Sequence, residues 1–274
     1  MKKRAGSKSW RSSGLLICCL IALTSVYVLH TRSAAPGPNP SPAIDQAQAD
    51  ADLIGAVKAN DLEQVKRLLN NGASPNAREE GLTPLMYAAG KRRPNLNIIA
   101  ALLDAGADLK AGNGSGERAL VFAVKGGDGS VLRLLLERGA DVNAQRMDGN
   151  TALHEAVEKG DLEIINTLLL YGADINLQNN YGRTPLYDAA LDEDPEVAIA
   201  LINMGADVNA KTAFGVTPLM VAATLNRPVL AQMLIERGAD VNAVDNKNMT
   251  ALKAAVASGS YEIVKLLRKA KAKK

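Results

Sequence analysis

Side chains that could act in catalysis or bind a metal are few in this 274-residue sequence. The two histidines, His30 and His154, lie far apart in the chain, and the two cysteines, Cys18 and Cys19, are adjacent within an apolar run. Zinc sites need these residue types at short spacings, and a cysteine nucleophile needs a base beside it; neither condition is met. We therefore predict that the protein is not an enzyme and has no catalytic residues, no metal site and no cofactor.

The carboxylates that recur along the chain have a structural explanation. Four aspartates follow one another at a constant interval of 33 residues: Asp141, Asp174, Asp207 and Asp240. Aspartate is a favoured turn residue because its side chain bonds the backbone two residues on. One aspartate per interval does not make a calcium loop, whose ligands alternate within one short segment. The adjacent pair Asp192-Glu193 is interpreted as part of a solvated loop.

The segment that positions these residues is a repeated unit, which is clearest at residues 147–179. It has a turn at Asp148-Gly149, a short helix, an apolar helix from Ile164 to Leu170, and a closing Gly172. Glycines recur at its turn and at its end in steps of 33 residues: Gly116, Gly149, Gly182 and Gly215, and Gly106, Gly139, Gly172, Gly205 and Gly238. A fixed interval of this length predicts an array of stacked units, each covering the apolar faces of its neighbours.

Two motifs recur in phase with these glycines. The first is Thr-Pro-Leu-His or a close variant, at residues 83–86, 151–154, 184–187 and 217–220. The second is Gly-Ala-Asp-Val-Asn, which is complete at residues 139–143, 205–209 and 238–242. Both motifs resemble the signature of the ankyrin repeat, and the resemblance extends from about residue 45 to residue 274. Arg118-Ala119 and Lys271 depart from it, in the third and seventh repeats.

The resemblance implies an all-α ankyrin-repeat solenoid, in which helix-turn-helix units stack and β-hairpin-like loops join them. About seven repeats are expected, including degenerate caps, with approximate boundaries 45–77, 78–111, 112–145, 146–178, 179–211, 212–244 and 245–274. The resemblance also implies that His154 is a framework residue that makes hydrogen bonds, because His154 occupies the fourth position of the first motif. The second repeat carries a basic insertion around Lys91, Arg92 and Arg93, which is either a tolerated surface loop or a recognition feature for an acidic partner.

Charge is distributed unevenly around a formal net charge of +3. Residues 1–32 and 265–274 each contain six lysines or arginines and no acid, so the remaining 20 basic residues are outnumbered by all 29 acidic ones. The repeat region is therefore acidic and has a basic tail. Nucleic-acid binding depends on clustered Lys and Arg that meet phosphates, so we predict no nucleic-acid partner.

The N-terminus has the layout of an export signal. Residues 1–13 are basic, residues 14–31 are mostly apolar, and residues 32–44 form a Pro-rich linker that would act as a spacer. The arrangement indicates a signal peptide or an uncleaved membrane anchor. Because the positive charges precede the apolar run, we predict a single-pass protein with its repeats outside the cytoplasm, and a bacterial periplasm fits best. Cleavage near Ser33-Ala34-Ala35 would instead give a periplasmic or secreted protein.

The function that the resemblance implies is protein–protein recognition. Partners of ankyrin repeats dock on a concave face built from hairpin tips and first helices, which here predicts a monomeric module with another protein on this face and the membrane at its N-terminal segment. The matching positions are Glu79, Glu80, Glu117, Met147, Asp148, Asn150, Glu158, Tyr181, Arg183, Asp192, Phe214, Val216 and Lys247. Tyr181 and Phe214 are candidate anchors, since aromatics are enriched at interface hot spots, although packing against neighbouring hairpins would explain them equally.

Two other functions fit the same sequence. A cleaved N-terminus would suit a secreted ankyrin effector that acts on proteins of a host or target cell. A cryptic ligand-binding or enzymatic role would require a small-molecule site that no sequence motif marks.

Overall fold

Residues 45–271 are described by a computed structural model of the chain, and they belong to one compact unit, Ile44–Lys274. Within these residues the regular structure is entirely helical, apart from one isolated backbone bridge between Glu79 and Leu82. The helices form seven pairs: α1 (Gln46–Ala59) and α2 (Leu62–Asn70), α3 (Pro84–Ala89) and α4 (Leu96–Asp104), α5 (Ala119–Gly126) and α6 (Gly129–Glu137), α7 (Ala152–Glu158) and α8 (Leu162–Leu170), α9 (Pro185–Ala189) and α10 (Glu196–Asn203), α11 (Pro218–Thr224) and α12 (Pro228–Glu236), and α13 (Ala251–Ala257) and α14 (Tyr261–Lys269). The expected all-α array of helix pairs is confirmed.

A threonine begins the first helix of most pairs. Thr83, Thr184 and Thr217 each accept a hydrogen bond from the backbone N–H three residues on, and proline follows each of them. Proline fits this position because the first backbone N–H of a helix has no partner within the helix. Pro228 likewise begins α12, whereas Pro195 lies one residue outside α10 as its N-cap.

The second helices end where the backbone becomes left-handed. Gly172, after α8, has a φ of 86°. Lys271 holds a φ of 64° at the position where the last repeat lacks glycine, and Asn248 holds 57° where the last turn lacks it. Non-glycine residues in this region carry a strain of about 1–3 kcal/mol, so both departures from the motif keep the geometry at an energetic cost.

The helices of residues 45–271 form two layers. First helices of successive pairs pack side by side from α1 to α13, and each second helix packs on the first helix of its own pair. Aliphatic side chains such as Leu153, Ile165 and Leu168 are fully buried in this core, together with alanines such as Ala156 that allow close approach. Each unit therefore buries its apolar surface against its neighbours, which is what makes the array cohere.

The recurring aspartates are turn residues, as predicted. Asp141, Asp174, Asp207 and Asp240 each accept the backbone N–H of the asparagine two residues on, at 2.8–3.1 Å. The asparagine then bonds the next repeat. Asn143, for example, accepts the N–H of Asp174 at 2.8 Å through Oδ1 and donates to the Gly172 carbonyl at 3.1 Å through Nδ2.

Backbone hydrogen bonds also join the hairpin tips, the turns that precede the first helices. Four such bonds connect neighbouring tips, from Met147 to Ser115, from Asn180 to Asp148, from Ala213 to Tyr181 and from Asn246 to Phe214, with N···O distances of 2.9–3.0 Å. Glycine permits the approach: a Cβ on Gly149 would lie 2.5 Å from the backbone nitrogen of Asn180. The tips are consequently held in one continuous row.

No helix within residues 45–271 has the length and apolar character needed to cross a membrane. The basic segment 1–13, the apolar segment 14–31 and the Pro-rich linker 32–44 lie outside the described residues. The expectations for these three segments therefore stay predictions.

Candidate functional site

Three large apolar side chains project from consecutive tips. Met147, Tyr181 and Phe214 are 72%, 56% and 66% exposed. Exposure of this extent speaks against the alternative that the two aromatics are buried between hairpins. We call the surface made by the tips and the exposed sides of the first helices the tip face. A row of apolar groups spaced by one repeat is its main feature, and exposed apolar patches rimmed by polar residues are typical of interaction sites.

Glu117 lies beneath the tip face rather than on it. Its residue surface is 9% exposed, and its carboxylate pairs with Lys125 Nζ at 2.6 Å and with Arg146 Nη1 at 3.2 Å. Asn113 Nδ2 donates a further bond at 3.0 Å. Burial opposes ionisation of Glu117, but the bonds from Lys125 and Asn113 outweigh it and lower the pKa. Glu117 therefore organises the third tip and is not presented to a partner.

The fourth tip is built around Asp148 and Asn150. Asp148 accepts Arg146 Nε at 2.8 Å and the N–H of Asn150 at 2.9 Å. Burial raises the pKa of the Asp148 carboxyl, and these bonds more than compensate, so the net effect is a lowered pKa. Asn150 is half-buried and accepts Asn179 Nδ2 at 2.7 Å. Both residues stabilise the turn of this tip, and the adjacent Met147 is exposed.

The second tip presents two exposed carboxylates, Glu79 and Glu80. Glu79 pairs with Lys58, whose ammonium lies 4.5 Å from the ring centroid of Tyr87. The hydrogen bond from Lys58 lowers the pKa of Glu79. Glu80 has a φ of 51°, in the left-handed region, and its carboxylate faces solvent. Of this pair, Glu80 is the carboxylate that is not held by a lysine.

The basic insertion lies in the loop between α3 and α4. Lys91 Nζ donates to the Lys58 carbonyl at 2.7 Å, which ties the loop to the preceding repeat. Arg92 and Arg93 are exposed. The loop therefore has a structural anchor, and its two arginines remain available to solvent.

Residues of the fifth and sixth tips differ in how far they are exposed. Arg183 is half-buried, and its guanidinium carbon lies 5.7 Å from the ring centroid of Tyr181 and 5.2 Å from that of Tyr187. Val216 is half-buried and packs against the core. Lys247, in the seventh tip, is exposed. The guanidinium of Arg183 restricts the ring of Tyr181, which limits the entropy that Tyr181 would lose on binding.

A cleft opens on the tip face between α7 and α9. Its volume is about 400 Å³, within the ~300–1,000 Å³ range of ligand sites. The predicted residues Asn150, Glu158, Tyr181, Arg183 and Asp192 all contribute to its lining. The structure thus gathers five of the thirteen predicted positions around one depression.

His154 forms the buried end of this cleft and has the framework role expected of it. It is 2% exposed; its Nδ1 accepts the Thr151 N–H at 3.2 Å, and its Nε2 lies 3.2 Å from the Arg183 carbonyl. Because a carbonyl can only accept, these contacts require the neutral tautomer with the proton on Nε2. Burial lowers the pKa of His154, which favours the same neutral form.

Asp188 is a cleft residue that sequence reasoning missed. It lies on α9 with its carboxyl largely buried, and burial raises its pKa to about 6 despite the opposing charge of Arg183. The register of the repeats does not single it out, because the equivalent residue of the fourth repeat, Glu155, is also acidic. Asp188 follows the fourth position of the first motif, where other repeats place Tyr87, Phe122 and Val221 against the core or the tip face.

The residues that the structure describes contain no group of three or more His, Cys, Asp or Glu side chains arranged to hold a metal ion. What they build instead is a rigid row of tips with apolar side chains and one polar cleft. This arrangement defines a class of protein, the repeat scaffold that presents a recognition surface.

Comparison with known proteins gives the family. The family model for ankyrin repeats matches residues 53–146, 144–212 and 209–274, and the chain belongs to the ankyrin-repeat family. The solved ankyrin repeat domain of Bcl-3, a member of the IkappaB protein family, is similar at 30% sequence identity and a TM-score of 0.71; the alignment covers 79% of this chain and 97% of that one. Ankyrin repeats are protein–protein interaction modules, so the recognition function is supported at this level.

Two curated relatives share part of the repeat region. The mitochondrial disaggregase of Homo sapiens is 36% identical over 113 residues, which is 39% of this chain and 14% of that protein. The mitochondrial disaggregase of Bos taurus is 39% identical over 93 residues, which is 34% of this chain and 12% of that protein. The chain therefore spans a small fraction of the length of these relatives.

Proposed function

We propose that the protein is a non-catalytic recognition module that binds another protein through the tip face. The observation that carries this proposal is the row of Met147, Tyr181 and Phe214, all exposed by more than half and held at consecutive tips. Large apolar side chains that remain in water cost free energy, and a partner that covers them recovers it. Aromatic anchors of this type dominate many interfaces.

The row is also preorganised for binding. Backbone bonds between neighbouring tips fix the spacing of the three side chains, and the Arg183 guanidinium holds Tyr181. Association is opposed by the entropy of immobilising loops and side chains, so a surface that is already ordered retains more of its interaction energy. In this proposal the tip face is the concave docking surface that the family resemblance implies, and the protein acts as a monomer.

The same proposal places the repeats outside the cytoplasm, tethered by residues 14–31. Its support is the order of a basic segment, an apolar run and a Pro-rich linker before the first helix. A reporter that folds only in the periplasm, fused after Lys274, should be active when the fusion is made in a bacterium. An inactive reporter would refute export, and mass determination of the mature N-terminus distinguishes the tethered protein from a cleaved, secreted effector.

The recognition function is tested with a partner captured on the full-length chain from the native envelope and identified by mass spectrometry. The double variant Tyr181→Ala/Phe214→Ala should weaken binding of that partner by about 30-fold or more, since paired hot-spot truncations cost about 2 kcal/mol or more. Tyr261→Ala is the control, because Tyr261 is an aromatic even more exposed than Tyr181 and Phe214, and it begins α14 in the second layer. Equal affinity of the double variant and the control would refute the tip-face proposal.

A further inference from the structure

The cleft between α7 and α9 exists because α9 is short. It has five residues and stops at Ala189, whereas α7 and α11 have seven. Beyond it the backbone tightens, with Leu191 N–H bonding the Asp188 carbonyl at 3.1 Å and Asp192 N–H bonding the Ala189 carbonyl at 3.3 Å. Because α9 stops two residues short of its neighbours, Val157 and Glu158 of α7 line an open space, which is the cleft.

Two side chains stabilise the loop that follows the short helix. Asp192 Oδ1 accepts the N–H of Asp194 at 3.0 Å, and Asp194 Oδ1 accepts the N–H of Glu196 at 3.0 Å. Such bonds offer the chain an alternative to continuing the helix. The cleft therefore depends on the sequence of the α9–α10 loop, which no other described repeat shares.

The cleft contains more negative than positive charge. Three carboxylates contribute to its lining, those of Glu158, Asp188 and Asp192, against one guanidinium, that of Arg183. Within residues 45–271 no carboxylate lies within ion-pair distance of Arg183, whose guanidinium faces the rings of Tyr181 and Tyr187 instead. His154, at the base, is held neutral by burial, which lowers its pKa.

Asp188 is one of these lining carboxylates. No hydrogen-bond donor reaches its carboxylate among the described residues, and the side chain is partly rather than fully removed from water. A partly buried carboxylate without a donor has lost some of its hydration, and a cation that approached it would offset that loss. Burial raises the pKa of Asp188 to about 6; the charge of Arg183 opposes the rise, and the charges of Glu158 and Asp148 add to it.

We propose that this cleft accepts a lysine or arginine side chain of the partner protein, with the cationic group meeting Asp188 and flanked by Glu158 and Asp192. The proposal rests on the recognition function above and adds the chemistry of one contact to it. The walls suit such a side chain, because Val157, Leu191 and Val197 can cover its apolar stem while the carboxylates meet its charged end. Tyr181, at the mouth of the cleft, connects this contact to the apolar row.

The contact has a defined pH dependence. The charged groups that face Asp188 are Glu158 from α7, Asp148 from the fourth tip, Arg183 from the fifth tip and Asp192 from the α9–α10 loop, with neutral His154 below. Below about pH 6 Asp188 is protonated and attracts a cation only weakly. Above that pH the carboxylate is ionised and attracts it strongly. Binding of the cation should therefore strengthen as the pH rises from 5 to 7.5.

The test uses the full-length chain and heptapeptides of the sequence Gly-Ser-Gly-Xaa-Gly-Ser-Gly, where Xaa is arginine, lysine or citrulline. Citrulline matches arginine in shape but is uncharged. Methyl NMR signals of Val157, Leu191 and Val197 report occupancy of the cleft. At pH 7.5 the arginine and lysine peptides should shift these signals in a saturable manner, and the citrulline peptide should bind at least about tenfold more weakly, since a charge-assisted bond is lost.

Asp188→Asn supplies the second arm. It should weaken the arginine peptide about tenfold or more and abolish the rise in affinity between pH 5 and 7.5. Glu193→Gln is the matched control, since it removes a charge from the same loop outside the cleft and should preserve both affinity and pH profile. Equal binding of arginine and citrulline, absence of shifts at these methyls, or an unchanged pH profile in Asp188→Asn would each overturn the proposal. If the cleft does not bind these peptides but the Tyr181→Ala/Phe214→Ala variant weakens partner binding, only the cleft proposal is refuted and the recognition function is still supported.

Discussion

The guanidinium of Arg146 lies 3.2 Å from the carboxylate of Glu117, and the two residues belong to neighbouring hairpins. The same Nη1 lies 3.2 Å from Glu155 on α7, and Nε bonds Asp148 at 2.8 Å. Arg146, Glu117 and Glu155 have side chains that are 18%, 12% and 13% exposed. One arginine therefore couples two tips and the helix behind them in a partly desolvated network, whereas most ion pairs of this surface are exposed.

Loss of Arg146 should destabilise the array far more than loss of a surface arginine. Arg146→Ala leaves Glu117 and Glu155 partly buried without this counter-charge, and we expect a decrease in the free energy of unfolding of about 2–4 kcal/mol, near the range for a broken buried pair. Arg138→Ala removes an exposed pair with Asp104 and should cost about 1 kcal/mol or less. Urea denaturation of the full-length chain, followed by circular dichroism, measures both. Similar losses for the two variants would contradict the special role of Arg146.

The close contact between neighbouring hairpin tips leads to a second prediction. Gly149 and Gly172 both have positive φ, at 83° and 86°, so alanine at either position carries left-handed strain of about 1–3 kcal/mol. Only Gly149 abuts the next hairpin; nothing lies within 4 Å of a Cβ on Gly172. Gly149→Ala should therefore lower the midpoint of urea denaturation further than Gly172→Ala, and hydrogen exchange at the Asn180 amide should accelerate in the first variant alone. Equal midpoints would mean that the tips are not tightly joined.

The repeat and its caps could be read from the sequence because they depend on local chemistry at a fixed interval. Thr184 caps a helix before a proline, and Asp174 closes a turn, wherever the chain places them. Two features of the candidate site could not be predicted from the sequence. Glu117 meets a partner 29 residues away, through stacking of repeats, and Asp188 lines a cleft that opens where α9 ends two residues early. Both depend on how neighbouring units pack, which single-residue patterns do not encode.

His154 should make the array sensitive to mild acid. Burial lowers the pKa of His154 below the ordinary value of 6.5, so the unfolded chain takes up a proton first. The stability that His154 contributes is therefore complete above about pH 6.5 and declines as the pH falls below it. Ionisation of Asp188 changes stability in the opposite direction over nearby pH values. The effect of His154 on stability is therefore measured in the Asp188→Asn variant. There, stability should fall between pH 7.5 and 5.5, and His154→Gln should remove that fall; a persistent fall would assign it to other groups.

Asp188 should reduce the stability of the protein at neutral pH. Because burial raises its pKa from 3.8 to about 6, the folded chain holds the proton more tightly than the unfolded chain, and folding is penalised once the carboxyl ionises. Asp188→Asn should raise the free energy of unfolding at pH 7.5 by about 1–3 kcal/mol, given ~1.4 kcal/mol per pKa unit. The gain should diminish as the pH falls from 6 towards 3.8.

Glu193→Gln is the control for this last change, because Glu193 is an exposed acid of the same loop and its removal should alter stability by about 0.5 kcal/mol or less. Thermal and urea denaturation of the three full-length proteins at pH 7.5 and pH 4.5 measure the difference. If Asp188→Asn is less stable than the parent at pH 7.5, the carboxylate has a compensating partner in the folded protein. If it is more stable, the carboxylate carries a cost that a cation from a binding partner would relieve, as expected for a residue kept for recognition rather than for folding.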